Sequence, residues 1–197
     1  MIDLKVTDKL TGAFKTGHEA QLEFRNKYQI PTAFDNTKVC AKQLYQRSAN
    51  GSIRRYRGHG EAVALVDECR SLDWAAILLK LTYDFVNAGI EQQGPPPFQI
   101  PTVRFIRSML AVSDDSKEKS FLLEEWINTS NDNRFMKYIN NSIPTSCVPP
   151  SAPRKAHERA EFLCFAQHVQ WRLTGYLAFT SDYQGTPPWP PSRKICY

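Results

Sequence analysis

Apolar positions recur along the chain with two different periods, and the change of period divides it into segments. In "LTGAFKTGHEAQLEF", residues 10–24, Gly12 and Gly17 bracket a short Phe-centred segment, which predicts two strands joined by a flexible loop. "TKVCAKQLYQ", residues 37–46, predicts another strand with Lys42 in its middle. From Glu61 to Phe85 the apolar residues Ala62, Leu65, Val66, Cys69, Leu72, Ala76 and Leu79 fall close to helical spacing, so one long, largely buried helix is expected. The run "EQQGPPPFQIP" ends it, because Pro95, Pro96 and Pro97 cannot continue a helix and restrict the residues before them.

Further on, "TVRFIRSMLAV" and "FLLEEWI" predict an antiparallel pair of strands around the polar turn "SDDSKEKS". "SIPTSCVPPSAPRK" carries four prolines and reads as a surface loop. "AHERAEFLCFAQHVQW", residues 156–171, predicts a helix, and "LTGYLAFTSDYQG", residues 173–185, a turn followed by a strand. The order suits an α+β protein: a mostly antiparallel sheet, a long helix, and a helix-containing second lobe, with a small ligand expected between the lobes. No internal repeat is present.

Composition narrows the function classes. A chain of 197 residues that is 42% hydrophobic can bury a substantial core, which excludes a fibre or a disordered tail. The net charge of +5 is scattered among 20 acids, and its densest knot is "IRRYRGHG", residues 53–60. Such a knot reads as a solvated loop, with a phosphate or nucleic-acid contact as the sharper alternative. Five cysteines without a CxxC argue against a disulfide scaffold and a self-contained zinc knuckle, and point to a reducing compartment. There is no signal-type apolar segment at the N-terminus and no window of eighteen apolar residues, so an intracellular, cytoplasmic protein without a membrane span is expected. The sequons at Asn50, Asn128 and Asn140 are then read as chance.

Several residues carry candidate chemistry. Lys42, flanked by Val39, Ala41 and Leu44, must reach water or meet a negative charge. A nucleotide phosphate would satisfy it, and the segment Gly12 to Gly17 could fold over that phosphate, although "GAFKTG" is neither a Walker loop nor a dinucleotide fingerprint. Glu124 and Glu125 end an apolar strand, either as a polar terminus or as acids for a ligand hydroxyl or amine. In "RFMKYINN", Lys137, Asn140 and Asn141 read as a turn or as part of a phosphate and metal site. His168 follows Cys164 by one helical turn, a spacing that could hold zinc only with two further ligands. Asp182 and Gln184 have the strand spacing that puts both on one face, where one could take a proton and the other coordinate a hard cation. A plain turn is the alternative.

Taken in order, "KVCAK", "FLLEEWI", "RFMKYINN", "AEFLCFAQHVQW" and "TGYLAFTSDYQG" resemble the alpha-kinase family, the atypical protein kinases of the myosin heavy chain kinase and channel-kinase type. "GAFKT" and "AKQLY" resemble its fungal members, and the likeness runs from about Leu10 to Gly185. The resemblance implies a two-lobed kinase-like fold over residues 1–185 and Mg²⁺-dependent transfer of the ATP γ-phosphate to Ser or Thr of a protein substrate. It implies Lys42 as the phosphate-contacting lysine and Glu124 as the acid near the adenine. The phosphate-covering loop would then comprise Gly12, Ala13, Phe14, Lys15 and Thr16, and Lys137 and Asn141 would match the Lys-Tyr-Asn motif at the ATP site. Asp182 is implied as catalytic aspartate, Gln184 as a Mg²⁺ ligand and His168 as the first ligand of a structural Zn²⁺ site.

The chain departs from the family after Gly185. Family members continue with an Asp-Pro-Gln motif that supplies a second metal ligand, a glycine-rich element, and a His and two Cys for zinc. Here "TPPWPPSRKICY" follows, and no aspartate lies beyond Asp182. Residues 186–197 are therefore expected to be a Pro-rich aberrant tail on an incomplete second lobe, from a truncation or a misread exon. Two rivals stand beside an active kinase: a catalytically silent nucleotide-binding or scaffold fragment whose "PPWPP" could be a polyproline II ligand, and a basic RNA-binding module using Arg54, Arg55 and Arg57.

Overall fold

A computed structural model describes residues 9–11, 15–22, 37–56, 59–113, 119–127 and 135–186. Its elements, in order, are β1 (Lys9–Thr11), β2 (Lys15–Gln21), β3 (Lys38–Arg47), β4 (Ile53–Arg55), α1 (His59–Gln93), β5 (Ser108–Val112), β6 (Ser120–Glu125), β7 (Met136–Lys137), α2 (Arg154–Leu173) and β8 (Gln184–Gly185). The expected α+β class with antiparallel pairing is present. The chain divides into two compact units, residues 1–73 with 106–126, and residues 74–105 with 127–197. The division falls inside α1.

The first unit holds an antiparallel sheet in the order β1-β2-β3-β6-β5, with β4 paired to the end of β3. Successive strand residues point to opposite faces, and this explains the unbroken "FLL" of β6. Leu123 joins Ala20, Leu22, Val39, Ala41 and Ala111 on one face, whereas Leu122 joins Leu44 and Leu65 of α1 on the other. Both leucines are fully buried, so two small cores sandwich the sheet. At an order of 1.5–3 kcal/mol for each buried leucine side chain, both faces hold the strands in register.

In the second unit, the later part of α1 and all of α2 carry the structure, with a short β7–β8 ladder. Tyr138, Ile139, Val148, Ala156, Ala160, Leu163 and Tyr183 form its core. α1 runs eight residues past the expected Phe85 and stops where Gly94, at φ +83°, returns its amide to Ile90 O at 2.8 Å. Glycine takes that left-handed turn without steric cost, and the three prolines follow.

Two expected strands are shorter than their patterns suggest, for one physical reason. Residues 102–106 lie outside the sheet, where the Tyr83 hydroxyl accepts from Val103 N at 2.8 Å and donates to Pro101 O at 2.9 Å, while Arg107 O still accepts from Glu125 N of β6 at 2.9 Å. Residues 176–183 are not a strand because α2 amides take the backbone of Thr180: Gln167 Nε2 donates to Thr180 O at 2.9 Å, and Thr180 N donates to Gln170 Oε1 at 2.8 Å. In both places a helix side chain replaces the ladder partner that the extended backbone requires.

Candidate functional site

β3 and β6 bring together the first pair of sequence-predicted residues. Lys42 lies opposite Leu122, and Glu124 lies opposite Cys40, so Lys42 and Glu124 are diagonal neighbours on one face. The Lys42 ammonium donates directly to Glu124 Oε2. Glu124 is 7% exposed, and an acid so buried needs a paired charge. The expected phosphate cation and the expected adenine-end acid thus neutralise each other. On the same face, opposite Glu124, lies Cys40, whose thiol is raised above its ordinary pKa by burial, with Lys42 opposing and Glu124 adding to the shift.

β2 lies on the other side of β3, and the loop predicted to cover phosphate is described only at its end. Gly12, Ala13 and Phe14 lie outside the described residues. Lys15 heads β2 and contacts Glu68 of α1. Thr16 points to the opposite face, where its buried Oγ1 accepts from Arg55 Nη2. Arg55 Nη1 also donates to Gln43 O and Leu44 O, both at 3.2 Å. The guanidinium expected as an RNA contact is therefore occupied in tying β4 to β3. Arg54 is exposed, and Arg57 lies outside the described residues.

The second constellation belongs to the other unit. β7 and β8 pair with Met136 opposite Gly185 and Lys137 opposite Gln184. Tyr138 N and Ile139 N both donate to Tyr183 O, at 2.8 and 3.2 Å. These bonds join "MKYI" to "DYQG" and bring Lys137 Nζ within 2.6 Å of Asp182 Oδ1. Asp182 sits at φ +58°, a left-handed conformation that aspartate tolerates better than most side chains but still at a cost. The anchor is Tyr183, whose ring stacks on Phe105 and whose hydroxyl receives Gln170 Nε2 at 3.3 Å. Burial pushes the Tyr183 phenol above its ordinary pKa, so it stays neutral. Asp182 and Gln184 flank this buried tyrosine and are both exposed.

The remaining expected residues lie apart from this pair. Asn141 is on an exposed turn, its Oδ1 accepting from Ser142 Oγ at 3.3 Å, while Asn140 Oδ1 caps the turn through Ser142 N and Ile143 N. His168 is exposed on α2. Cys164 is half-buried one turn earlier, and burial raises its thiol pKa. Among the described residues no three His, Cys, Asp or Glu side chains converge, so those present do not fit a zinc site, and Cys196 lies outside them. The resemblance implies Gln184 as a Mg²⁺ ligand, but Asp182 lies before β8 at φ +58°, so the shared strand face expected for the two residues is not formed, and its carboxylate is held by Lys137.

Sequence patterns gave no sign of Glu61, which is 4% exposed at the start of α1. Its Oε2 accepts from Ser120 N at 3.5 Å, while Glu61 Oε1 and Ser120 Oγ are buried with no hydrogen-bond partner among the described residues. Glu68 was also missed: i+7 from Glu61, it reads as ordinary helix-surface charge. Among the described residues no helix is long and apolar enough to cross a membrane. The chain matches no protein-family model and no curated protein.

Proposed function

We propose that the chain is an alpha-kinase-type phosphotransferase, moving the γ-phosphate of ATP to a Ser or Thr hydroxyl of a protein. The observation that carries the reading is the β7–β8 ladder, which joins the Lys-Tyr segment to the Asp-Tyr-Gln-Gly segment and sets Lys137 on Asp182. Phosphoryl transfer needs little covalent chemistry from a protein, so positioned charges and one proton acceptor supply most of what it requires.

In this reading Asp182 takes the acceptor hydroxyl proton as the oxygen attacks phosphorus and the bond to the departing ADP oxygen breaks. General bases of this kind contribute about 10²–10⁴-fold. The ammonium of Lys137 orients the carboxylate.

A second reading, nucleotide binding without transfer, is favoured by the single carboxylate at the Asp182–Gln184 position. Radiolabelled transfer from ATP to a mixed protein substrate, run beside a thermal shift with ATP and Mg²⁺, separates the two. Transfer lost in Asp182→Asn supports the kinase. A shift without transfer supports the binding module, and neither signal overturns both.

A further inference from the structure

The face of the sheet that carries Lys42 holds three cation–carboxylate contacts, Lys42–Glu124, Lys15–Glu68 and Lys38–Glu19. Lys15 is opposite Leu44, and Gly17 is opposite Lys42, so Lys15 and Lys42 share the face on which Leu44 and Leu122 pack against Leu65 of α1. On that face Glu124 meets Lys42, and Glu68 reaches from α1 to Lys15. Cys69, next to Glu68 in α1, lies in the field of both pairs: burial raises its thiol, Asp73, Glu68 and Glu124 add to the shift, and Lys15 opposes it.

We propose that Glu68 is the charge-selecting residue of this face: it occupies Lys15 until a ligand with several negative charges, a polyphosphate, displaces it. The identity of the ligand rests on the nucleotide reading above. The physical basis is the charge count of the face. The ammoniums of Lys15, Lys38 and Lys42 and the carboxylates of Glu68, Glu19 and Glu124 sum to zero, so a singly charged anion gains little by entering. A polyphosphate gains from Lys15 and Lys42 at once, while Glu68 is free to turn to solvent. The Lys15 and Glu68 side chains are 28% and 37% exposed, and a pair this open is weakly held and exchangeable.

The test uses the full chain, with calorimetric titration of inorganic tripolyphosphate and of orthophosphate. Glu68→Gln keeps the size of the side chain and removes its charge. It is expected to bind tripolyphosphate about tenfold more tightly than the unmodified protein and to discriminate less against orthophosphate. Adding Lys15→Ala to Glu68→Gln should remove the gain. Glu68→Asp, which keeps the charge, should behave as the unmodified protein, and melting curves establish that each variant is folded. Should Glu68→Gln not fold, Glu68→Ala carries the same expectation. Unchanged or weaker tripolyphosphate binding after loss of the charge overturns the proposal, as does absence of binding in every protein. Tighter binding without any transfer from ATP overturns the kinase reading alone, and transfer with unchanged tripolyphosphate affinity overturns this proposal alone.

Discussion

Lys137 Nζ stands 2.6 Å from Asp182 Oδ1, and the backbone that presents the carboxylate is held at φ +58°. A strained conformation at an exposed acid is a cost that the surrounding structure must offset, and the buried Tyr183 beside it provides the anchor. Substitution at 182 therefore separates backbone from chemistry. Asp182→Gly should leave stability unchanged or raise it by about 1 kcal/mol, because glycine adopts positive φ freely. Asp182→Asn should preserve the fold for a related reason, since asparagine also tolerates this region. Both should lower phosphoryl transfer at least about a hundredfold, read by melting curves beside the transfer assay. Retained transfer in either variant would remove Asp182 from the role of base.

Lys137 offers a cleaner separation of stability from activity. Its side chain and that of Asp182 are 46% and 45% exposed, and exposed pairs contribute about 0–1 kcal/mol. Lys137→Met should thus shift the unfolding free energy by less than about 1 kcal/mol, while transfer falls about tenfold or more as the carboxylate loses its orientation. Denaturant titration gives the first quantity and initial rates the second. A large stability loss with normal rates would make the pair purely structural.

How far the sequence already carried this picture depends on which interactions a period can report. The strand around Lys42, α2 and the antiparallel β5–β6 pair follow from local apolar spacing, because each buries a face or stripe with a fixed repeat, whereas α1 forms where expected but is not the largely buried helix its spacing predicts: of its residues only Glu61, Leu65, Leu78, Leu79 and Thr82 are buried. The pattern cannot report that Tyr83 captures residues 101–103, or that Gln167 and Gln170 capture Thr180. These are single polar contacts from a distant helix. They convert two extended, apolar-looking runs into irregular chain. Candidate residues were legible for a similar reason only as types: Lys42 announced itself as a charge in an apolar strand. That its partner would be Glu124 depends on the register of β3 against β6, which no local pattern encodes.

That register makes a prediction about Lys42. Removing it leaves Glu124, 7% exposed, without its cation. Lys42→Met should cost about 2–3 kcal/mol, at the lower end for a broken pair because the lysine itself is partly exposed. Lys42→Met with Glu124→Gln should recover most of the loss, since the uncompensated charge is gone. The double-mutant cycle measured by denaturant unfolding gives the coupling directly. Additive losses would mean that the contact contributes nothing beyond its separate side chains.

Glu61 sets a pH dependence of the fold. Burial raises its carboxyl above the ordinary glutamate range; the Ser120 amide, the Arg55 charge and the Leu44 backbone lower it only in part. The folded state therefore binds a proton more tightly than the unfolded state does. The sign follows from linkage: the favourable protonated form is fully present below the unfolded pKa, and its contribution is lost as pH rises through the raised folded pKa. Glu61's contribution to stability should consequently decline as pH rises above the ordinary glutamate range. Glu61→Gln, which keeps an uncharged donor, should be more stable than the unmodified protein at neutral pH and should flatten this part of the profile. Melting temperatures from the glutamate range upward measure both effects, and an unaltered pH profile in Glu61→Gln would assign the titration to another group.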